Sequence, residues 1–238
     1  MQSTIISRTI SRTISRTLGL GALLLILAGC ASSQPDATTY DGLVLDDSIT
    51  HADVYKKPGA TLAGYTAYGL VPCQVAFKKN WLRNQNRDRI DLSSRVTQKD
   101  VDRIKDTLSS ECDARFRAAL EQPPAYPLVE EFSDGEAVLI LKPSIINLDI
   151  NAPDTLSSGM SRSYTTSAGE MTLLLEAIDG TTHETLFRVV DRKRDMDSGR
   201  LQWTNSVTNR AEAERALNQW AGQLRKALDS ATGSNAGG

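Results

Sequence analysis

Apolar positions recur at helical spacing in two long stretches of the chain. In the first stretch, Thr97 and Asp100 have the spacing of a capping box, which predicts a helix that begins at Thr97 and ends before Pro123-Pro124. In the second, the pattern predicts a helix from about Val207 to Ser230. The apolar positions that recur every three or four residues are Val101, Ile104, Leu108, Cys112, Phe116 and Leu120 in the first helix and Ala213, Leu217, Trp220, Leu224 and Leu228 in the second.

Two single strands are predicted, one on each side of the first helix. Tyr65–Phe77 contains Pro72, which cannot donate a ladder hydrogen bond, so this strand is expected at an edge or with a bulge. Ala137–Ile150 is the most apolar strand and is expected at the centre of a sheet. Pro143 within it predicts a bulge or a break.

A β-hairpin is predicted between these strands and the last helix. Glu170–Asp179 and Thr185–Asp195 flank Asp179-Gly180, a dipeptide typical of hairpin turns. The predicted order is strand, helix, strand, strand, strand, helix, and the simplest packing puts both helices on one apolar face of the sheet. We therefore expect an α+β two-layer sandwich with one mostly antiparallel sheet of about four strands.

Three polar stretches are predicted to lie outside these elements. Tyr40 to Ala60 combines one apolar patch with acidic residues and is expected to lie on the domain as an extended arm. Lys78 to Ser94 is rich in Asn and Arg, and residues 151–168 are rich in Ser, Thr and Gly. Both are predicted to be loops.

The N-terminal segment has the three parts of a secretory signal. Residues 1–17 contain three Arg and no acidic residue, and the apolar run Leu18–Ala28 is too short to span a bilayer. The following Leu27-Ala28-Gly29-Cys30 resembles the lipobox of bacterial lipoproteins. That resemblance implies cleavage before Cys30 and acylation of its thiol and of the new amino terminus. The alternative is an ordinary secreted protein whose signal contains a cysteine.

The chain is predicted to divide into four parts. Residues 1–29 are the signal peptide, 30–39 a lipidated flexible tether, 40–232 a single α+β domain and 233–238 a disordered tail. Ala31, rather than Asp, follows the cysteine. By analogy with enterobacterial sorting, this residue implies anchoring in the outer membrane, facing the periplasm.

Charge and length limit the classes of protein that remain. Three of the 27 basic residues and none of the 29 acidic ones lie in the segment predicted to be removed, so the mature chain has a net charge of about −5. This negative charge argues against nucleic-acid binding. A mature chain of roughly 200 residues fits one domain. No later stretch has the ~20 apolar residues that a spanning helix needs.

Two cysteines remain once Cys30 is assigned to lipid. Cys73 lies on an apolar face of the first predicted strand, and Cys112 on the apolar face of the first helix. An even number of cysteines in an oxidising compartment is consistent with a disulfide between them. The alternative is two buried free thiols that act as small apolar side chains, and spacing alone does not decide between the two.

No catalytic or metal-binding motif is recognised. His51 and His183 lie far apart in the sequence, and neither has His, Cys or carboxylate neighbours at metal-ligand spacing. The chain has no Gly-x-Ser-x-Gly nucleophile elbow and no phosphate-binding glycine loop. We therefore expect no catalytic residue, no metal and no cofactor.

Two features are candidates for a binding surface. Trp81 and Trp203 lie in polar segments, where an aromatic residue either contacts a partner or anchors its loop to the core. The basic run Arg192-Lys193-Arg194 is a candidate site for anionic lipid headgroups or glycans. The neighbouring Asp191, Asp195 and Asp197 instead favour a solvated strand end whose acidic and basic side chains pair with one another.

Several short motifs occur in a fixed order along the mature chain. They are Tyr40-Asp41-Gly42-Leu43-Val44, Lys57-Pro58-Gly59-Ala60, Val75-Ala76-Phe77-Lys78-Lys79-Asn80-Trp81, Ala168-Gly169-Glu170-Met171 and Val189-Val190-Asp191-Arg192. In this order they resemble an uncharacterised family of bacterial lipoproteins, domain of unknown function 3313. The resemblance covers about residues 38–230. It implies a location and a fold, with no established activity and no catalytic residues.

Together these features predict a non-enzymatic lipoprotein of the outer membrane. Its acyl chains hold it on the membrane, and it serves as an accessory or adaptor for an unknown envelope protein. One alternative is a small-ligand or glycan binder that uses the loop over residues 151–168. Another is a periplasmic hydrolase with an unrecognised site.

Overall fold

The architecture of the domain comes from a computed structural model that describes six stretches of the chain. All of them belong to one compact unit, Pro35–Gly238. Side chains are described throughout, except in the two three-residue stretches and before residue 210 in the last one. The stretches are residues 37–131, 136–151, 163–165, 169–194, 202–204 and 206–233.

Within these stretches the chain forms ten strands, three α-helices and one 3-10 turn. The strands are β1 (Val44–Leu45), β2 (Asp53–Lys56), β3 (Ala67–Leu70), β4 (Gln74–Phe77), β5 (Leu128–Val129), β6 (Val138–Ile150), β7 (Ser163–Thr165), β8 (Gly169–Asp179), β9 (Thr185–Arg194) and β10 (Gln202–Thr204). The helices are α1 (Trp81–Asn86), α2 (Gln98–Glu121) and α3 (Ser206–Thr232), and the 3-10 turn is Leu92–Ser94.

Eight strands form one mixed sheet in the order β1-β2-β9-β8-β6-β3-β5, and β4 also pairs with β6. Its centre is the long antiparallel trio β6, β8 and β9. Strands β3 and β4 run parallel to β6, and β5 runs parallel to β3. Strands β7 and β10 form a separate antiparallel pair. The prediction of a mostly antiparallel sheet of about four strands with two helices is therefore wrong.

The mixed sheet follows from two features that the hydrophobic pattern does not show. The chain between β4 and β6 includes α2, and a helical crossover returns the chain to the same end of the sheet, so these neighbours run parallel. The predicted extended arm contributes β1 and β2, and β2 pairs with β9. Strands of two to four residues are too short to show a period of two in the sequence.

The predicted strand Tyr65–Phe77 is interrupted at Pro72. Val71 still donates to the carbonyl of Leu141 at 2.9 Å, but the next pairing begins at Gln74, one residue out of step. Pro143 does not break β6. Leu141 and Pro143 face the same side of β6, because alternate residues of a strand bond to the same neighbour. Pro143, which has no N–H to donate, therefore lies opposite the interruption at Pro72.

Helices α2 and α3 pack on the sheet and share one core with it. In this core, the indole Nε1 of Trp220 in α3 donates to Asp191 of β9 at 2.9 Å. A smaller cluster of Trp81, Val96 and Val101 lies between α1 and the start of α2. The main cluster includes Cys112, Phe116 and Leu120 of α2, Leu217, Trp220 and Leu224 of α3, and Leu139, Leu141, Leu173 and Leu175 of the sheet.

Arg225 of α3 closes the C-terminal end of α2. Its guanidinium is buried and donates to the carbonyl oxygens of Ala119 at 3.2 Å, Gln122 at 2.7 Å and Pro124 at 2.8 Å. It also pairs with Asp229 at 2.8 Å. Carbonyl groups at a helix end have no partner within the helix, so Arg225 both caps α2 and joins it to α3.

We expect Arg225→Met to lower the free energy of unfolding by about 3 kcal/mol, because the carbonyls at the end of α2 lose their donor and Asp229 loses its cationic partner. The matched control is Arg215→Met on the same helix, where the arginine is exposed and pairs with Glu212. This control is expected to cost at most about 0.5 kcal/mol. Urea unfolding at constant m-value measures both changes. Equal losses in the two variants would contradict the role given to Arg225.

Candidate functional site

The two cysteines of the domain are joined to each other. Cys73 and Cys112 form a disulfide with a Cα–Cα distance of 6.1 Å, and both are buried. The backbone N–H of Cys73 donates to Asp113 at 2.7 Å, and its carbonyl accepts from the hydroxyl of Ser109 at 2.6 Å. Helix α2 thus supplies one covalent bond and two hydrogen bonds to the residue that follows Pro72. Neither sulfur is available as a thiolate nucleophile.

A cluster of charged side chains lies where β8 begins and β9 ends. Glu170 is 12% exposed and pairs with Arg192, with Arg194 at 2.9 Å and with Lys78 at 3.5 Å. Lys78 also pairs with Asp149 of β6 at 2.9 Å. Both arginines and Lys78 remain more than half exposed, so the cluster presents cations to solvent above a largely buried carboxylate.

The basic run Arg192-Lys193-Arg194 forms ion pairs, but only Lys193 pairs with one of its neighbouring aspartates. Arg192 and Arg194 lie on the same face of the sheet as Glu170, because alternate residues of a strand share a face. Lys193 lies on the other face and pairs with Asp191 at 2.9 Å. The other two neighbouring aspartates lie outside the described residues. The partner that the sequence reasoning missed is therefore Glu170, on the adjacent strand.

Electrostatics keep the carboxylates of Glu170 and Asp41 ionised. Burial alone would raise the pKa of Glu170, but hydrogen bonds from Arg192 and Arg194 outweigh it and lower the pKa to about 2. Hydrogen bonds from Arg188 likewise lower the pKa of Asp41 to about 2. A general acid or base near neutral pH needs a pKa close to that pH. These two carboxylates therefore serve as ion-pair partners.

The N-terminal arm is fixed to the sheet by one of these pairs. Arg188 of β9 donates to both carboxylate oxygens of Asp41, at 3.0 and 2.7 Å, and also to Glu176 of β8. Leu43, two residues after Asp41, is completely buried. The arm is therefore part of the folded domain.

The two histidines lie at the surface of the described domain. Both His51 and His183 are exposed, and His183 lies in the β8–β9 turn with a left-handed φ of 57°. Within the described stretches there is no group of three His, Cys, Asp or Glu side chains that could hold a metal ion.

Trp81 is an internal anchor in this structure. It is 3% exposed, stacks on Phe77 with ring centroids 4.1 Å apart, and donates from its indole Nε1 to the carbonyl of Ile150 at 3.2 Å. Its ring fastens the start of α1 to the end of β6. The side chain is not accessible to a partner.

The remaining sequence candidates lie largely outside the described residues. The backbone of Trp203 is in β10, opposite Tyr164 of β7, and its side chain is not described. Cys30 and most of the loop over residues 151–168 also lie outside the described stretches. None of the described helices combines the length and apolarity needed to cross a membrane.

The Glu170 ion pairs predict a pH-dependent contribution to stability. Because the pKa of Glu170 is lowered from 4.5 to about 2 on folding, its contribution is complete above the unfolded value and is lost as the pH falls towards 2. We expect Glu170→Gln to lower the free energy of unfolding by about 1–3 kcal/mol at pH 7. The difference from wild type should shrink steadily below pH ~5 in chemical denaturation measured across pH.

The matched control is Glu184→Gln, which removes an exposed carboxylate paired with Lys57. Its effect is expected to stay within about 0.5 kcal/mol at every pH. A destabilisation by Glu170→Gln that does not change with pH would show that the lost charge is not its cause.

The family described as "Protein of unknown function (DUF3313)" matches residues 32–224, which confirms the domain of unknown function predicted from the motifs. No curated protein matches the sequence. The solved structures that are similar to the chain include two from different bacteria. A PelC dodecamer from Paraburkholderia phytofirmans is 8% identical, with a TM-score of 0.36 over 74% of this chain and 96% of that one. A neuraminyllactose-binding hemagglutinin homologue from Helicobacter pylori is 8% identical, with a TM-score of 0.37 over 70% of this chain and 88% of that one.

Proposed function

Because the chain belongs to DUF3313, a family of proteins of unknown function, we propose a function from its own residues. It is a lipoprotein of the bacterial outer membrane that faces the periplasm and acts as a non-enzymatic adaptor for another envelope protein. Acylated Cys30 is its membrane anchor. The folded domain that begins near residue 40 is the part that meets the partner.

The observation that carries this proposal is the pairing of cysteines. The chain has three cysteines, and Cys73 and Cys112 are bonded to each other inside the core. Cys30 is therefore the one cysteine left for another chemistry, and it follows the lipobox-like residues Leu27-Ala28-Gly29. A buried disulfide also suits an oxidising compartment such as the periplasm.

The described side chains support a role without catalysis. The two cysteines of the domain are oxidised, both histidines are exposed, and the described residues contain no group of three His, Cys, Asp or Glu side chains that could hold a metal ion. Glu170 and Asp41 are held ionised by arginines. Nucleophilic and general acid–base catalysis both require groups that are poised to react near neutral pH.

We expect Cys30→Ser to abolish the attachment of the mature protein to membranes that withstands a high-salt wash, because serine offers no thiol for acylation. The free energy of unfolding should stay within about 0.5 kcal/mol, since the described core begins at Leu43. Membrane fractionation and intact-protein mass spectrometry measure the two outcomes. The matched control, Ser33→Ala in the tether, should remain acylated. A wild-type protein that begins at Cys30 without acyl mass would overturn the anchor.

The adaptor role is tested against the hydrolase alternative with the purified chain. We expect no turnover of ester, phosphate or peptidoglycan substrates above the level of a denatured sample. We also expect a stoichiometric envelope protein to remain bound through purification in detergent. Turnover that stays with the protein through repurification would contradict the non-enzymatic role, as would purification to a single species with no bound protein after in vivo crosslinking.

A further inference from the structure

The connection between α1 and α2 exposes two aliphatic side chains. Ile90 is 94% exposed and Leu92 is 74% exposed, and they are two residues apart. We call residues 87–96 the Arg-rich loop. Its apolar tip is unusual for a described surface on which few large hydrophobic side chains are this exposed.

The Arg-rich loop has a defined hydrogen-bonded structure. The side chain of Asn86 donates to the carbonyl of Val96 and accepts from its N–H, both at 2.8 Å. Arg89 donates across the loop to the carbonyl of Ser94 at 2.5 Å. Val96 is itself buried against Trp81. The base of the loop is thus fixed to the smaller core, and the fold holds the tip outward.

The arginines around the tip differ from those elsewhere in the described domain, because they do not form ion pairs with carboxylates there. Asp91 accepts two hydrogen bonds from Ser93, and Asp88 is the other acid of the loop. All three arginines of the loop, Arg87, Arg89 and Arg95, donate to neutral oxygens. The arginines in or next to the loop for which the described stretches provide no carboxylate partner are Arg83, Arg87, Arg89 and Arg95.

The contrast with the rest of the described domain is complete. Every other arginine whose side chain is described pairs with a carboxylate, although the mature chain as a whole is acidic. These paired arginines are Arg103, Arg115, Arg117, Arg188, Arg192, Arg194, Arg210, Arg215 and Arg225.

We propose that the Arg-rich loop binds the surface of an anionic phospholipid membrane. Ile90 and Leu92 enter the boundary between headgroups and acyl chains, where their exposed apolar surface leaves water. The surrounding guanidinium groups donate to lipid phosphates, an interaction that suits the planar fork of arginine. Because the rest of the domain is acidic, an anionic surface attracts this loop and repels the remainder, which orients the domain.

This contact is separate from acylation at Cys30, and the test keeps the two apart. It uses the chain from Ala31 onward, which lacks the anchor and contains the whole compact unit Pro35–Gly238. Binding is measured by co-sedimentation with vesicles of phosphatidylcholine alone or with added phosphatidylglycerol. We expect binding to the anionic vesicles only, and weaker binding as salt is raised. Circular dichroism checks the fold of each variant.

Two double variants separate the apolar and charged parts of the contact. We expect Ile90→Ser/Leu92→Ser to lower the partition coefficient about tenfold, from the loss of two inserted aliphatic groups. Arg83→Gln/Arg87→Gln should lower it by about tenfold on anionic vesicles through the loss of two charges. The matched controls are Tyr40→Ser, an equally exposed hydrophobic residue, and Arg117→Gln/Arg215→Gln, two exposed arginines in ion pairs. Both controls should bind like the unsubstituted chain.

The outcomes that would overturn the proposal are equally specific. No binding to either vesicle, or equal binding to both, would contradict an anionic lipid surface. Binding by either double variant that is as strong as binding by the controls would also contradict it. Self-association in sedimentation equilibrium that Ile90→Ser/Leu92→Ser abolishes would instead identify a second copy of the chain as the occupant of the tip.

Discussion

Cys73 lies between β3 and β4, and three contacts from α2 hold it there. The interruption leaves its N–H and carbonyl without partners in the sheet, and Asp113 and Ser109 of α2 replace those partners. The disulfide to Cys112 closes a loop with a sequence separation of 39, which contributes about 4 kcal/mol in the chain-entropy model. The crossover helix is thereby fixed on the sheet, and the parallel pairing of β4 with β6 depends on that position.

The described arginines divide into two groups. Most pair with carboxylates, as Arg188 does with Asp41 and Glu176, and these pairs join the arm, the sheet and the helices to one another. Those of the Arg-rich loop are directed at neutral oxygens beside an exposed apolar tip. Charge within one acidic domain is thus used in two ways, for cohesion and for contact with a surface.

Local features of the sequence predicted the two long helices and the hairpin well, but α1 lies in a segment that was predicted to be a loop. The capping box of Thr97 and Asp100 is present, and α2 ends at Glu121, just before the prolines that limit it. The turn after Asp179 joins β8 and β9 as expected. Counting back from that turn places Glu170 opposite Lys193, whereas a bulge between Ala177 and Ile178 shifts the register and brings it opposite Arg194, so the ion pair at the sheet end could not be predicted from the sequence. The size of the sheet could not be predicted from the sequence either, because two-residue strands carry no periodic signal.

The sequence by itself determined the limits of the two long helices, the hairpin turn, the family and the candidate anchor at Cys30. Caps, prolines and turn dipeptides act within a few residues, so their effect can be read locally. Only the tertiary structure decided that Cys73 meets Cys112, that Trp81 is buried and that the basic run pairs with Glu170. These outcomes depend on strand order and helix position. Both are set by contacts between residues far apart in the chain, whose partners no local pattern specifies.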